Sequence, residues 1–257
     1  MIELEQFAGF LMALVRFSTF IIVLPIFNFR GIPTQAKIGL ACFMAILATP
    51  SVSFSIFDNL YLLLFLILQE VAIGLVMGFF VVLVFSMVYF AGQLIDVPMG
   101  FGMATVFDPS AGMQLPIFSQ FYHLLAIMVF FAIDGHIWLL RAASKSFESI
   151  PVGYFFDTDL TFELVMALAS NIFSIGLRIA LPVMGTIFLT DLALGIVIRA
   201  VPQINVFVIG FPIKIVVGMV VIIFALPFFI SLAASLFGMN GLLFTFFSNL
   251  LKAAGGT

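Results

Sequence analysis

Residues 215–251 contain no charged side chain, and residues 60–95 contain only Glu70. Uncharged runs of this length restrict a fold more than any other feature of the chain. At 1.5 Å per residue a helix over 60–95 extends about 50 Å, against a hydrocarbon core of about 30 Å. A domain folded in water carries roughly 25% charged residues; here 8% are charged and 64% apolar. An integral membrane protein is therefore expected, with no polar stretch long enough for a separate soluble domain. Nine Lys plus Arg against twelve Asp plus Glu leave no basic excess for phosphate contacts, which excludes a nucleic-acid binder. Cys42 is the only cysteine, which excludes a disulfide scaffold. The 35 Phe residues suit either lipid exposure or large interdigitating protein contacts.

Met1–Gln6 carries Glu3 and Glu5 in place of a basic n-region, so it is expected to be retained. Residues 7–29, interrupted by Arg16, form the first spanning helix. A polar turn with Arg30, Gly31, Pro33 and Lys37 follows, and Pro33 suits the start of the next helix. Residues 38–57 are uncharged but cut short by Pro50 and Ser51–Ser53, a marginal span. Residues 60–95 are either two short spans or one protruding helix. Val97–Pro116, with glycines at 100, 102 and 112 and prolines at 98, 109 and 116, is predicted to be a loop. Residues 115–140 form a helix closed by Asp134-Gly135-His136, and 148–163 an acidic connector. Residues 164–200 are again too long for one perpendicular span. A tight turn over Val201–Asn205 leads into the last apolar run, in which Pro227, Gly238 and Gly241 lie.

Lys and Arg concentrate on the cytoplasmic side of membrane proteins. With Arg30 and Lys37 inside, successive crossings put Arg141 and Lys145 outside, against that rule. The conflict disappears if 60–95 is a hairpin, or if helices are accommodated by partner subunits and not by lipid alone.

Ionisable groups within apolar segments are costly and are candidates for function: Arg16, Glu70, Asp96, Asp134, His136, Arg178, Asp191, Arg199 and Lys214. They mark a proton or ion pathway, or they sit at helix ends, pair with one another or face a wet cavity; their position near segment ends favours the second reading. An intramembrane aspartyl protease needs two carboxylates in one site, but Gly100-Phe101-Gly102 is followed by Met103. His123 and His136 are the only histidines and no cysteine pair supports a zinc site. Neither a cofactor nor an enzymatic activity is expected. Gly74 and Gly78 form a GxxxG pair suited to close helix packing.

The 97–116 segment must reach water, line a cavity or be buried in protein. Glycine gives it backbone freedom and methionine fills irregular gaps, a mixture suited to a deformable apolar stopper. An ordinary solvent-exposed loop accounts for the glycines and prolines but not for the methionines and phenylalanines.

Several stretches resemble one family: Gly92-Gln93-Leu94-Ile95-Asp96, Met99-Gly100-Phe101-Gly102-Met103-Ala104-Thr105, Asp108-Pro109, Asp134-Gly135-His136, Pro151-Val152-Gly153, and Val201-Pro202-Gln203-Ile204-Asn205-Val206-Phe207 through Gly210-Phe211-Pro212. Over essentially the whole chain the sequence is similar to the FliR/SctT family of flagellar type III export-gate proteins. One position departs from the pattern, Pro98, where a polar residue precedes the Met-Gly pair. Arg199–Lys214 also resembles the hairpin turn of FliQ. The resemblance implies an all-α membrane-associated protein of long helical hairpins in a hetero-oligomeric helical assembly. Residues 1–160 would be FliP-like, with the loop 97–116, and 161–257 a FliQ-like hairpin with its turn near 201–206. It further implies residence in the bacterial inner membrane within the flagellar basal body, with FliP, FliQ, FlhB and FlhA as partners, lipid around it and unfolded flagellar proteins as cargo. The loop would plug a central pore through Met103, Thr105, Val106, Phe107, Asp108, Pro109 and Met113. The turn, with Arg199, Pro202, Gln203, Asn205 and Lys214, would face the cytoplasmic entrance, where FlhB wraps the gate. Asp96, Asp134, His136, Arg178 and Asp191 are the polar groups at membrane depth. A self-contained secondary transporter is the alternative, suggested by the long interrupted helices and intramembrane carboxylates; a purely structural subunit is another.

Overall fold

A computed structural model describes residues 2–27, 31–52, 60–101, 116–154, 158–203 and 205–255. Among them are eight α-helices and no strand: α1 Ile2–Val23, α2 Thr34–Ala48, α3 Leu60–Met99, α4 Ile117–Ala132, α5 Gly135–Ser149, α6 Thr158–Ala200, α7 Val206–Phe237 and α8 Leu242–Gly255. The chain is an all-α membrane protein. Glu5–Val23, Leu60–Met99, Thr161–Ala200 and Val208–Lys252 are each long and apolar enough to cross a bilayer. α2, with 15 residues, is too short for a span of about 20, as its flanking prolines predict; Pro33 stands at its N-cap and Thr34 is its first helical residue.

One open alternative is settled and four expectations are corrected. Residues 60–95 are not a hairpin: α3 is one helix of 40 residues, because no residue in the run breaks it. That removes the first escape from the charge-parity conflict. The helix also passes Pro98 to Met99, so the loop begins later than Val97; the proline gives up one intrahelical N–H donor, and the helix ends within two residues of it. Residues 115–140 are broken after Ala132, where Asp134 takes a left-handed φ of 57°, and a new helix carries Arg141 and Lys145 on to Ser149. The connector is shorter than 148–163, since α6 starts at Thr158 and contains Asp159 and Glu163. The final apolar run is likewise two helices, separated at Gly238–Gly241, where the Gly241 N–H donates to the Gly238 carbonyl at 2.7 Å.

The helices contribute to two compact units: residues 1–84, 131–168 and 236–257 in the first, 85–130 and 169–235 in the second. In the first, α2 packs on α1 and α8 on α5, with Phe20 of α1 edge-on to Phe247 of α8 at 6.4 Å. α1 also runs parallel to α3 along a seam set by Glu70, Gly74 and Gly78, successive positions four apart on one face. A Cβ at Gly74 would collide with Thr19 Oγ1 and the Arg16 carbonyl, and one at Gly78 would sit 2.8 Å from Val23 Cβ.

This close approach brings Arg16 to Glu70, both buried. Arg16 Nε donates to Glu70 Oε2 at 2.6 Å, and Nη2 donates to Oε1 at 2.9 Å. Nη1 donates to Ser146 Oγ at 3.1 Å, and Nη2 also to the Ile150 carbonyl at 3.0 Å. The guanidinium lies 3.8 Å from the centroid of the Phe147 ring. The next residue, Gln69, donates from Nε2 to the Tyr154 carbonyl at 2.6 Å. One cation thus ties α1, α3, the end of α5 and the turn after it.

Removing one partner of such a pair leaves a buried charge and costs about 3–5 kcal/mol, whereas an apolar replacement of both is far milder. Glu70→Leu should therefore lower the unfolding midpoint of the detergent-purified protein sharply, and Arg16→Met with Glu70→Leu should recover most of the loss. A double variant as unstable as the single one contradicts the assignment. Gly74→Val should destabilise by about 1–3 kcal/mol through overpacking in the same measurement.

Candidate functional site

The second unit holds both ends of the segment read as a plug. α3 and α4 form an antiparallel pair in it, with Phe85 5.7 Å from Phe130 and Tyr89 6.2 Å from His123 between ring centroids. Gly92 lets the start of α4 come close, because a Cβ there would run into Ser119 N and Cα. One turn on, the buried carboxylate of Asp96 accepts the Phe118 N–H at 3.0 Å on Oδ1 and the Ser119 N–H at 3.3 Å on Oδ2, with Ser119 Oγ at 3.5 Å. Those N–H groups have no partner within α4 itself. A carboxylate also complements the positive end of the helix dipole. Asp96 thus caps a helix from another helix.

α3 ends in a glycine C-cap. Gly100, at φ 91°, donates its N–H to the Val97 carbonyl at 3.1 Å, and the Phe101 N–H reaches the Asp96 carbonyl at 3.2 Å, the paired bonds of a left-handed helix terminus. Backbone and side chain of Asp96 therefore fix the departing and returning helices at one point. Phe101 stacks edge-on against Phe118 at 5.5 Å.

The hairpin of α6 and α7 meets this base. A Cβ on Gly100 would lie 2.5 Å from Phe211 Cδ1, and one on Gly218 would meet the terminal methyl of Met99. Phe211 belongs to the Gly210-Phe211-Pro212 motif, and its contact with Gly100 joins two motifs more than a hundred residues apart. Lys214, one turn further, pairs with Asp191 of α6 at 2.5 Å, close to the turn. A cavity of about 230 Å³ opens between these helices, lined by Asp191, Leu194, Ile198, Gly210, Phe211 and Lys214 among others.

Met103, Thr105, Val106, Phe107, Asp108, Pro109 and Met113 lie outside the described residues. Arg199 is exposed in the last turn of α6, and Pro202 and Gln203 are exposed in the turn. The Asn205 carbonyl accepts the Val208 N–H at 3.1 Å as α7 begins. Of the remaining polar candidates, Asp134 occupies the α4–α5 break and Arg178 is exposed on α6. His136 stacks on Phe131 at 4.8 Å, and its buried Nδ1 has no hydrogen-bond partner among the described residues. Within the second unit Asp96, Asp191 and Lys214 are brought into defined contacts; Asp134 and His136 belong to the first unit. Sequence reasoning missed the part of Gly92, Phe211 and Gly218; the glycine one turn before Asp96 was the available signal.

Fold and site together define a polytopic helical membrane protein in which the C-terminus of α3 and the N-terminus of α4 are joined through Asp96. The chain belongs to the bacterial export proteins, family 1, which it matches over residues 7–239. It is 34% identical over 244 residues to the flagellar biosynthetic protein FliR of Bacillus subtilis (strain 168), covering 92% of this chain and 93% of that one. The flagellar biosynthetic protein FliR of Escherichia coli (strain K12) is 31% identical over 230 residues, 87% of this chain and 86% of its own. The surface presentation of antigens protein SpaR of Shigella flexneri is 26% identical over 160 residues, 62% and 60%.

Asp96→Ala removes the cap and should cost about 0.5–2 kcal/mol, while Asp96→Asn keeps an acceptor and should cost less. Hydrogen exchange at the Phe118 and Ser119 amides checks this directly: both should exchange faster in the alanine variant, and unchanged rates would contradict the cap.

Proposed function

We propose that this chain is a subunit of the flagellar type III protein export apparatus, seated in the bacterial inner membrane within the basal body. There it forms, and its 97–116 segment plugs, the conduit for unfolded flagellar proteins. The observation that carries this reading is the double anchoring at Asp96. A stopper must be deformable in its middle yet fixed at its ends, and a Gly-, Met- and Phe-containing stretch between a C-capped α3 and a side-chain-capped α4 meets both needs. Similarity to FliR and SpaR supports the export role. FliP, FliQ, FlhB and FlhA are the proposed partners, with 1–160 the FliP-like part and 161–257 the FliQ-like hairpin.

Large apolar side chains stand exposed along α6 and α7, among them Phe188, Leu189, Ile196, Val216, Ile223 and Phe224. Such faces favour neighbouring subunits over a self-contained transporter. The Asp191–Lys214 pair joins the two helices of the hairpin, and Gln203 is exposed in its turn, which supports a contact of that turn with FlhB at the cytoplasmic entrance.

Deleting residues 105–113 leaves Gly92, Asp96 and Gly100 in place, so the gate should assemble with FliP and FliQ and leak small ions across the cytoplasmic membrane. An assembled gate with an intact permeability barrier refutes the plug. Solute transport by the chain alone in vesicles, without FliP and FliQ, would favour the transporter. In a Cys42→Ser background, Gln203→Cys should crosslink to a cysteine on FlhB; no crosslink under conditions where FliQ turns react would refute that contact.

A further inference from the structure

In the first unit, α5 and α8 leave between them an open cleft of about 590 Å³, which also takes in the turn before α8. Its walls combine two unlike chemistries. Met239, Phe244, Phe247 and Leu251 supply apolar surface, whereas Arg141 and Lys145, one turn apart on α5, supply two cations. Both cations are exposed. Neither forms an ion pair among the described residues, even with Glu148 on the same helix. The Arg141 guanidinium lies 5.2 Å from the Trp138 ring, which holds it at the cleft. Thr245 and Ser248 add hydroxyls to the opposite wall.

The two helices each have one apolar face inward, through Leu139, Ala143 and Phe147 on α5 and Leu243, Phe247 and Leu250 on α8. Their other faces mix polar and apolar side chains, with Arg141, Ser144 and Lys145 on α5 and Thr245, Ser248 and Lys252 on α8 beside Phe244 and Leu251; amphipathic helices of this kind suit a membrane interface. Tryptophan is enriched at the headgroup level. Two cations beside an apolar trough complement a diester phosphate with acyl chains attached. Inorganic phosphate would use only the cations and leave the trough empty. We propose that this cleft binds the headgroup of an anionic phospholipid, its phosphate on Arg141 and Lys145 and the start of an acyl chain along Phe244, Phe247 and Leu251. The site would tie the α5–α8 side of the protein to acidic lipid, and it involves none of the residues of the loop base.

Trp138 is the only tryptophan in the chain, so its fluorescence reports on the cleft alone. The full chain is reconstituted in vesicles of fixed phosphatidylglycerol and phosphatidylcholine content, with bromine on the acyl chains of one lipid or the other. Brominated phosphatidylglycerol should quench Trp138 beyond its mole fraction, reflecting enrichment of roughly fivefold per cation. Arg141→Gln with Lys145→Gln should bring quenching back to the mole fraction, while Arg141→Lys with Lys145→Arg should keep the excess. Quenching proportional to mole fraction in the unaltered protein overturns the proposal without recourse to any variant. So does an excess that persists in the glutamine variant. Loss of the excess when inorganic phosphate replaces chloride at equal ionic strength would assign the site to free phosphate and likewise overturn it.

Discussion

The first unit depends on a cation placed where no water reaches it. Arg16 is tolerable there because Glu70 takes two of its N–H groups while Ser146 and the Ile150 carbonyl take two more, and a desolvated ion pair survives only when its remaining donors are satisfied. Beside this pair α1 and α3 approach more closely than two helices with ordinary side chains at the contact. Gly74 and Gly78 permit it, on the same face and one and two turns beyond Glu70. The dependence runs both ways: a side chain in the seam would part the ions, and parted ions would leave charge in an apolar interior. The turn after α5 is then held by consecutive residues of α3, Gln69 through the Tyr154 carbonyl and Glu70 through Arg16.

The other half of α3 repeats the device in reverse order. Gly92 clears the approach and Asp96, four residues later, supplies the carboxylate, with the partner now the N-terminus of α4 in place of a guanidinium. In each case a glycine and a carboxylate one turn apart convert a long apolar helix into a site of defined attachment. Both oxygens of each carboxylate are committed to fixed donors. That is the behaviour of a clamp, and it gives α3 two anchored ends, the second of which bears the departing loop. Phe211 beneath Gly100 adds the α6–α7 hairpin to the same base, so that both family motifs act on a single helix terminus.

Helix positions were largely legible because the length of an apolar run is a one-dimensional property, which the sequence displays directly. Breaks were less so. Pro98 suggests a loop, yet the terminus is set two residues later by the left-handed Gly100; Asp134 was read as an end, whereas a single left-handed residue suffices for the chain to begin α5 at once. Pairings were hardly legible at all. Arg16 and Glu70 both stand out as ionisable residues in apolar surroundings, but they are 54 positions apart and nothing in their spacing joins them. The same holds for Gly100 and Phe211. GxxxG at 74–78 signalled close packing without naming α1 as the partner, since small residues state that something approaches and not what.

The α6–α7 hairpin follows a different constraint. α6 has 43 residues, or about 65 Å of helix, and fitting that into a core of about 30 Å would need a tilt of about 60°, well beyond the 0–40° range of spanning helices. Its apolar face nevertheless continues to the turn, with Phe188, Leu192 and Ile196 exposed, and on α7 Phe224 is 80% exposed. Exposed apolar side chains on a helix favour apolar surroundings. Lipid meets that need over one crossing, about half the length of α6. The remaining half lies beyond what one crossing covers, which is why its exposed apolar side chains count toward the contacts with neighbouring subunits proposed above.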